Sequence, residues 1–334
     1  MNVTSSRKKQ SGVSLVEVMI AMLLGIFLLG SVVQFFVSSR QSNRVHEATS
    51  RMQETGRMAL EIMARDIRMA DFWGCASDIS NIVNNLNPAG AGYIDFQTGG
   101  VAGVEGGAGV PDTLILRGGF GTGLFVEPPY GPQASANVKV TAGNDLNQGD
   151  IVMLADCTQG DIFQISNSNP GGTGTIVHNT GSTTEPGNYN ATNPGCTGMN
   201  ALCLSKVYGA DASMFAVQEI TYNVATGSEG EPALFRNGAE FLDGVEDLQI
   251  LYGEDTSAAG SAGEGIANYF VPANQVADME RVIGIRIAVV ARSDHDNLVT
   301  GNAQSYAVLG SSITAADRRI RRVYETTVNI RNRQ

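Results

Sequence analysis

The 334 residues of this chain exceed the length of one typical domain, so one large folded unit or two smaller ones are expected. Apolar residues make up 43% of the sequence and charged residues only 16%, a balance that allows a packed core. The net charge of −11 disfavours nucleic acid as a partner, because its phosphates would repel the chain.

The N-terminal region combines a short basic segment with a long apolar one. Arg7, Lys8 and Lys9 precede Gly12, and residues 18–39 contain no charged side chain. As a helix, that uncharged segment would be roughly 33 Å long at about 1.5 Å per residue, whereas a bilayer core is about 30 Å thick. The sequence therefore predicts one membrane-spanning helix, and the three basic residues favour a cytoplasmic N-terminus with the head on the far side of the membrane.

Glu17 lies among apolar residues just before this uncharged segment. An ionisable group at such a position is costly, which marks it as a functional candidate. An ordinary secretory signal peptide would have a shorter apolar core followed by a small-residue cleavage site, and a plain signal anchor leaves Glu17 unexplained. The basic leader, Gly12, and a glutamate four positions after Val13 together resemble the class III signal of type IV prepilins.

The resemblance to prepilins implies a defined processing and assembly route. Prepilin peptidase would cleave between Gly12 and Val13, and the new amino group of Val13 would be methylated. Glu17 would pair with the N-terminal ammonium of a neighbouring subunit, because two buried charges that are each unfavourable alone fix the axial register together. The sequence departs from the family pattern in one respect, since the first mature residue is usually Phe and here it is Val13.

Residues 40–70 are predicted to continue the helix beyond the membrane. They contain no proline and one glycine, Gly56, and charges four apart, such as Glu47 and Arg51, support a helical surface. A separate coiled-coil stalk would need sustained heptads, which this segment lacks. Apolar or small residues recur at helical spacings and predict a stripe that packs on a head domain; they are Val45, Ala48, Met52, Ala59, Ile62, Met63, Ile67 and Ala70.

The remainder, residues 71–334, is predicted to form a β-rich head. The fold class is therefore α+β and pilin-like, with a long helix (residues 13–39 in the membrane, 40–70 amphipathic) packed on a large antiparallel sheet in two lobes. Strand-forming segments occur at 113–117, 151–155, 162–165, 216–223, 248–252, 283–290 and 324–330. Glycine-rich residues 99–109 and 118–123 and Asn/Gly/Thr-rich residues 167–200 are predicted as loops, with the lobe break near 166–200.

The four cysteines are expected to form two disulfides on the periplasmic side of the membrane. Sequence alone permits three pairings. The short spacing favours Cys196–Cys203, which leaves Cys75–Cys157, whereas four buried thiols are the alternative. No CxxC motif or suitably spaced histidine is present, so no metal site is expected.

No motif in the head points to catalysis or to a cofactor. The glycines at 118–123 do not follow the dinucleotide pattern and lack a βαβ unit. The segment Asp294-His295-Asp296-Asn297 lacks the spacing of a calcium loop and is predicted as a solvated turn. His46, His178 and His295 are scattered, and no nucleophile lies in a catalytic motif. We therefore expect neither an enzyme nor a bound cofactor.

A basic cluster near the C-terminus is a candidate subunit contact. It consists of Arg318, Arg319, Arg321 and Arg322. DNA is one conceivable partner, but few aromatic residues surround the cluster. Arginines on an acidic protein more naturally pair with carboxylates, either of a neighbouring subunit or of the same head.

Segments spread over most of the chain resemble the PilW family of minor pilins. They are Trp73-Gly74-Cys75, Ala155-Asp156-Cys157, residues 161–163, 232–236, 243–250 and 252–253, and the ending at 318–333. Because Cys75 and Cys157 both lie in resembling segments, the resemblance also favours their pairing.

The PilW resemblance implies a low-abundance subunit that joins other minor pilins in a membrane complex. That complex would prime polymerisation of the major pilin through the inner-membrane assembly platform and end at the pilus tip with a large adhesin-like protein, in support of twitching motility and adhesion. One alternative is a minor pseudopilin of type II secretion, resembling the J subunit. Another is a membrane-anchored protein that binds DNA or a surface ligand.

Overall fold

The computed structural model describes residues 12, 14–76, 78–107, 109–130, 137–180, 184–189, 203–299 and 304–333. Helix α1 (Leu15–Met69) contains 55 residues without interruption. This confirms that the apolar and amphipathic segments form one helix. A second, one-turn helix, α2 (Pro170–Thr173), lies in the region predicted as a loop.

The head contains strands of 3 to 14 residues. In chain order they are β1 (Ile82–Asn84), β2 (Val101–Val104), β3 (Thr113–Phe125), β4 (Asn137–Lys139), β5 (Ile151–Ala155), β6 (Gly160–Gln164), β7 (Thr175–Val177), β8 (Ser213–Thr226), β9 (Pro232–Arg236), β10 (Ala239–Asp243), β11 (Val245–Glu254), β12 (Tyr269–Val271), β13 (Val282–Arg292), β14 (Ser305–Val308), β15 (Ser311–Thr314) and β16 (Arg321–Asn329). Each of the seven predicted strand segments lies in or overlaps one of them.

The strands form two main sheets. The first has the order β1-β6-β5-β8-β3-β2, with β9 paired to β8 and β10 paired to β9. The second has the order β12-β11-β13-β16 and is antiparallel throughout. Strands β14 and β15 form a separate hairpin, and β4 pairs with β7. An α+β head with two sheets is thereby confirmed.

The transition between the sheets differs from the expected one. We expected the lobe break near residues 166–200, but β6 and β8, on either side of that region, belong to the same sheet. The chain instead crosses from β10 to β11 at Gly244, which adopts a φ of 73°. Glycine tolerates this left-handed conformation without a Cβ clash, so the crossing needs a single residue.

The C-terminal half of α1 packs against both sheets at once. Its buried residues are Met52, Gly56, Ala59, Met63, Ala64, Asp66 and Ile67. Four of them, Ala59, Met63, Ala64 and Ile67, join one core with Leu114 and Ile220 of the first sheet and Ile285 and Val328 of the second. The helix is therefore the element that holds the two sheets together.

The glycine-rich segment 118–123 is strand, not loop, which corrects the prediction. It lies within β3 and pairs with β8, for example Gly119 with Val217. A Cβ on Gly118 would lie 3.2 Å from the backbone nitrogen of Phe72, and one on Gly119 would lie 3.2 Å from the carbonyl oxygen of Phe72. Glycine is needed here because the backbone after α1 approaches the strand closely. The predicted loop 99–109 likewise contains strand β2.

Gly56 marks the closest approach of α1 to the second sheet. A Cβ at this position would lie 2.3 Å from Cδ2 of Tyr324 on β16. In an open helix, alanine would stabilise by roughly 1 kcal/mol relative to glycine. Here the ring would have to move away from the helix, which disturbs the core that joins helix and sheet.

We expect Gly56→Ala to lower the free energy of unfolding by about 1–3 kcal/mol, as is typical for overpacking a core. Thermal and urea unfolding of the full chain in detergent measures this. Ser50→Ala on the exposed side of the same helix is the matched control and should be neutral or slightly stabilising. A stabilised Gly56→Ala variant would contradict the close contact with Tyr324.

Candidate functional site

The N-terminus of α1 is closed by two reciprocal hydrogen bonds. The backbone N–H of Ser14 donates to Oε2 of Glu17 at 2.9 Å, and the N–H of Val16 donates to Oγ of Ser14 at 3.3 Å. A capping box of this kind satisfies donors that the helix cannot pair internally. Glu17 therefore caps the helix within one subunit while its carboxylate stays exposed.

The predicted processing site lies directly before this cap. Gly12 is exposed, and Val13 lies outside the described residues. Cleavage between Gly12 and Val13 and methylation of Val13 stay predictions. Their geometric requirement is an accessible segment next to Glu17, and exposed Gly12 and Ser14 meet it.

The N-terminal half of α1 presents apolar side chains on all sides. Leu15, Phe27 and Phe35 are 77%, 69% and 76% exposed, respectively. The most apolar window of the helix has none of its residues buried against the head, and its length and composition suffice to cross a membrane. Apolar surface of this extent requires lipid or other apolar helices around it. The segment therefore supports membrane anchoring.

The other end of α1 is clamped by residues from distant parts of the chain. Asp71, with a φ of 61°, accepts hydrogen bonds from Nε1 of Trp73 at 2.7 Å and from the N–H of Gly100 at 2.8 Å. Arg333 pairs with the same carboxylate, and Nδ2 of Asn332 donates to the carbonyl of Ala70 at 2.8 Å. The chain's C-terminal segment thus holds the helix end in one direction.

A buried acid on α1 connects the helix to the first sheet. Oδ2 of Asp66 accepts from the hydroxyl of Tyr222 at 2.7 Å and from Nη2 of Arg236 at 2.9 Å. Burial, followed by the nearby Asp66 carboxylate, raises the pKa of Tyr222 above its ordinary value, so the phenol keeps its proton. These contacts fix the rotation of the helix relative to β8 and β9.

The predicted Cys75–Cys157 disulfide is present and is thereby confirmed. It ties the segment after α1 to the turn between β5 and β6. Cys203 is buried, whereas Cys196 lies outside the described residues, so Cys196–Cys203 stays a prediction.

An ion pair stands beside the disulfide. Asp156, 4% exposed, pairs with Lys206 and accepts further hydrogen bonds from Thr158. Burial alone would raise the pKa of Asp156, but the hydrogen bonds from Lys206 and Thr158 hold it well below its ordinary value of 3.8. A lowered folded-state pKa contributes stability above 3.8 that is lost as the pH falls through the folded value.

We expect Lys206→Met to destabilise the head at pH 7 by about 1–3 kcal/mol, because the buried carboxylate loses its cation. The deficit should shrink below pH 3.8, where Asp156 of the variant takes up a proton and no longer needs a cation. Urea unfolding at pH 7 and pH 3 measures both values. Lys139→Met, at another partly exposed lysine of the same head, is the matched control. A deficit that does not vary with pH would contradict the pairing.

The arginine cluster is divided between the interior and the surface. Arg321 is buried and pairs with Glu246 at 2.8 Å and Asp317 at 2.6 Å. Burial disfavours its charge, yet the hydrogen bonds that it donates to these two carboxylates keep the pKa of Arg321 above its ordinary value. Arg319 pairs with Glu231 at 3.0 Å. These two side chains serve the head's own structure.

The remaining two arginines of the cluster are exposed. The backbone N–H of Arg318 donates to Asp296, and its side chain donates to Asn297, whereas Arg322 lies exposed on β16. Asp294, Asp296 and Asn297 thus form a turn held by arginines, including the Asp294–Arg51 pair at 2.8 Å. Among the described residues, no group of three His, Cys, Asp or Glu side chains could hold a metal ion.

Sequence reasoning missed the two carboxylates that orient the helix. Asp66 lies seven residues after Ala59 and four after Ile62, so an acid on the predicted apolar stripe was a detectable signal. Asp71 carried no comparable signal, because its partners Gly100 and Arg333 are far away in sequence.

Comparison with known protein families identifies two regions of the chain. The family of the type IV pilus-assembly protein W, PilW, matches residues 221–332, and the prokaryotic N-terminal methylation motif matches residues 7–33. The first match contains the whole second sheet, and the second contains Gly12, Val13 and Glu17. No curated protein and no solved structure matches the chain. The resemblance to prepilins and to PilW is confirmed, and it supports a minor pilin related to the type IV pilus.

Proposed function

We propose that this chain is a minor pilin that joins other minor pilins in a complex which initiates pilus assembly and ends at the pilus tip. The observation that carries the proposal is the position of Glu17. Glu17 lies in the first turn of an exposed apolar helix that is long enough to cross a membrane, and it lies within the matched methylation motif. A carboxylate at this place gains a partner when a processed amino terminus of another subunit lies beside it.

The leader, the apolar helix and Glu17 together suggest an order of processing and assembly. Prepilin peptidase removes residues 1–12, and the helix stays in the inner membrane because the cut precedes it. Subunits then associate through their apolar helices, with Glu17 setting the register, and the assembly platform moves them into the pilus with the major pilin. The head remains on the periplasmic side and later lies at the cell surface.

The shape of the head supports a low-copy position. The clamp at Asp71 and the contacts of Asp66 hold α1 rigidly on both sheets, while long connections lie around the first sheet. A head of this size suits the end of a thin fibre better than its repeating unit. A large adhesin-like tip protein is the partner that the PilW resemblance implies.

Deletion of the gene is expected to reduce surface piliation and twitching strongly, and re-expression of the full chain should restore both. Electron microscopy of pili and a subsurface twitching assay measure the two effects. A deletion strain with normal piliation and twitching would contradict the proposal.

The pseudopilin alternative shares the leader and the helix, so a secretion assay on the same deletion strain separates the two. Loss of secretion of type II substrates with intact twitching would favour it. The DNA-binding alternative is disfavoured by the contacts of Arg319 and Arg321, because Glu231, Glu246 and Asp317 neutralise much of the basic cluster.

A further inference from the structure

Strand β16 lies at the edge of the second sheet, and among the described strands only β13 pairs with it. Arg321 exchanges two hydrogen bonds with the side chain of Gln304, one to its N–H and one to its carbonyl, both at 3.0 Å. Ile330, just after the other end of β16, donates its N–H to the carbonyl of Ile283 in β13. In an antiparallel pair, residues alternate between facing the partner strand and facing away from it. Odd-numbered residues of β16 therefore direct their backbone N–H and C=O groups away from β13.

Beyond Arg321, none of the described residues pairs with this outer side. The outward groups belong to Val323, Glu325, Thr327 and Asn329, and within the described part of the chain their N–H groups have no acceptor. The hairpin β14–β15 packs on the face of the sheet around Val323 and not along this edge. Unpaired backbone groups in a row of this length are a template for another strand.

Several other strands at the sheet edges are protected in the usual ways. Strands β1 and β12 have three residues each, and β10 carries a bulge between Glu240 and Leu242. Strand β2 has four residues and packs against the short helical turns at 273–275 and 279–281. Against this background, the nine-residue strand β16, whose outer side is open from Val323 to Asn329 among the described residues, is an exception. Proteins retain such an edge where a partner covers it.

Two cations border the open edge on the side of α1. Gly56 of α1 lies against the ring of Tyr324, so Arg57, the next residue of the helix, and Arg322, which shares a face of β16 with Tyr324, lie on the same side of the sheet as that ring. Burial raises the pKa of Tyr324, and the charges of Arg322 and Arg57 oppose that rise. Both arginines are exposed, and neither forms an ion pair with any described residue. A strand added to β16 would place its side chains beside them. Carboxylates at those positions would gain cross-strand charge pairs.

We propose that the open edge of β16, together with Arg57 and Arg322, receives an extended, carboxylate-bearing segment of a different pilus subunit by strand addition. The inference rests on the proposed function, since it assigns the surface through which this head contacts a neighbour. A second copy of the chain is disfavoured as the occupant, because its own edge brings arginines and the chain carries a net charge of −11.

The test places a photo-crosslinking amino acid, p-benzoylphenylalanine, at position 325 of the full chain in piliated cells. The crosslinked peptide is then sequenced. We expect it to lie in an extended segment of another pilus subunit, with acidic residues at alternate positions. The same amino acid at exposed position 229, away from the edge, is the control and should not yield this peptide.

Two pairs of variants test the mechanism of contact. Thr327→Pro removes one outward N–H and leaves the bonds to β13 intact, so the crosslink yield should fall by about tenfold. Thr327→Ala loses the same side chain but keeps the N–H and should retain the yield. If Thr327→Pro lowers the melting temperature, the second pair of variants decides. Arg322→Glu should lose the crosslink, whereas Arg318→Glu, at the other exposed arginine of the C-terminal cluster, should keep it.

A crosslink to a helix, to a second copy of this chain, or to nothing overturns the inference. So does a yield that neither Thr327→Pro nor Arg322→Glu changes. Loss of piliation in the deletion strain combined with any of these results leaves the proposed function standing and removes only the strand-addition surface.

Discussion

Replacing Glu17 with alanine is expected to leave the processed protein in the inner membrane and to remove it from pili. The carboxylate is the one acidic group within residues 15–39, so alanine leaves the incoming amino terminus of a neighbour without a partner among apolar helices. An unpaired charge in such surroundings costs several kcal/mol, on the order of 3–5, which corresponds to a loss of incorporation by more than about a hundredfold. Immunoblots of sheared pili and of membranes measure the two pools.

Ser14→Ala is the matched control for this experiment. It removes the other half of the helix cap, at a cost of about 0.5–2 kcal/mol to the helix, but keeps the carboxylate. Incorporation of Ser14→Ala should therefore remain close to wild type. If both variants lost incorporation equally, Glu17 would act only as a helix cap.

Replacing Asp66 with alanine is expected to cause the largest loss of head stability. Alanine would leave the buried hydroxyl of Tyr222 without its acceptor and the half-buried guanidinium of Arg236 without its carboxylate. Removing one partner of such a network costs about 2–4 kcal/mol, discounted from the full value because Arg236 reaches solvent. Urea unfolding of the full chain in detergent, followed by tryptophan fluorescence of Trp73, measures the loss.

Two further variants show whether the network itself is responsible. Arg65→Ala changes the exposed neighbouring residue and should cost less than about 0.5 kcal/mol. The double variant Asp66→Ala with Arg236→Met should lose less than the sum of the single changes, because no unpaired cation remains. Additive losses would show that Asp66 and Arg236 act independently.

The sequence predicted the elements whose patterns are local. Helix α1 ends at Met69, within one residue of the expected limit, because its apolar stripe stops at Ala70, where the backbone becomes extended before Asp71. The strand at 151–155 was predicted with its bounds, since a run of apolar residues is flanked by turn residues. The Cys75–Cys157 disulfide followed from the spacing of the other two cysteines and from the family resemblance.

The parts that were missed depend on distant contacts. The glycines at 118–123 resemble a loop by composition, and only the backbone of Phe72 lying against Gly118 and Gly119 explains why these two belong to a strand. The crossing at Gly244 depends on how two sheets pack on one helix, which no single segment specifies. Arg321 belongs to a cluster that the sequence suggests is basic and exposed. In the structure it is buried, because it forms an ion pair with Glu246, 75 positions away.

The most direct test of the central claim is the intact mass of this protein isolated from sheared pili, with sequencing of its N-terminal peptide. The account predicts a chain that begins at Val13, carries one N-terminal methyl group and lacks free thiols. Its acidic residue five positions into the mature chain would then stand among hydrocarbon next to another subunit's methylated amine. A full-length chain that retains residues 1–12 in assembled pili would contradict the account.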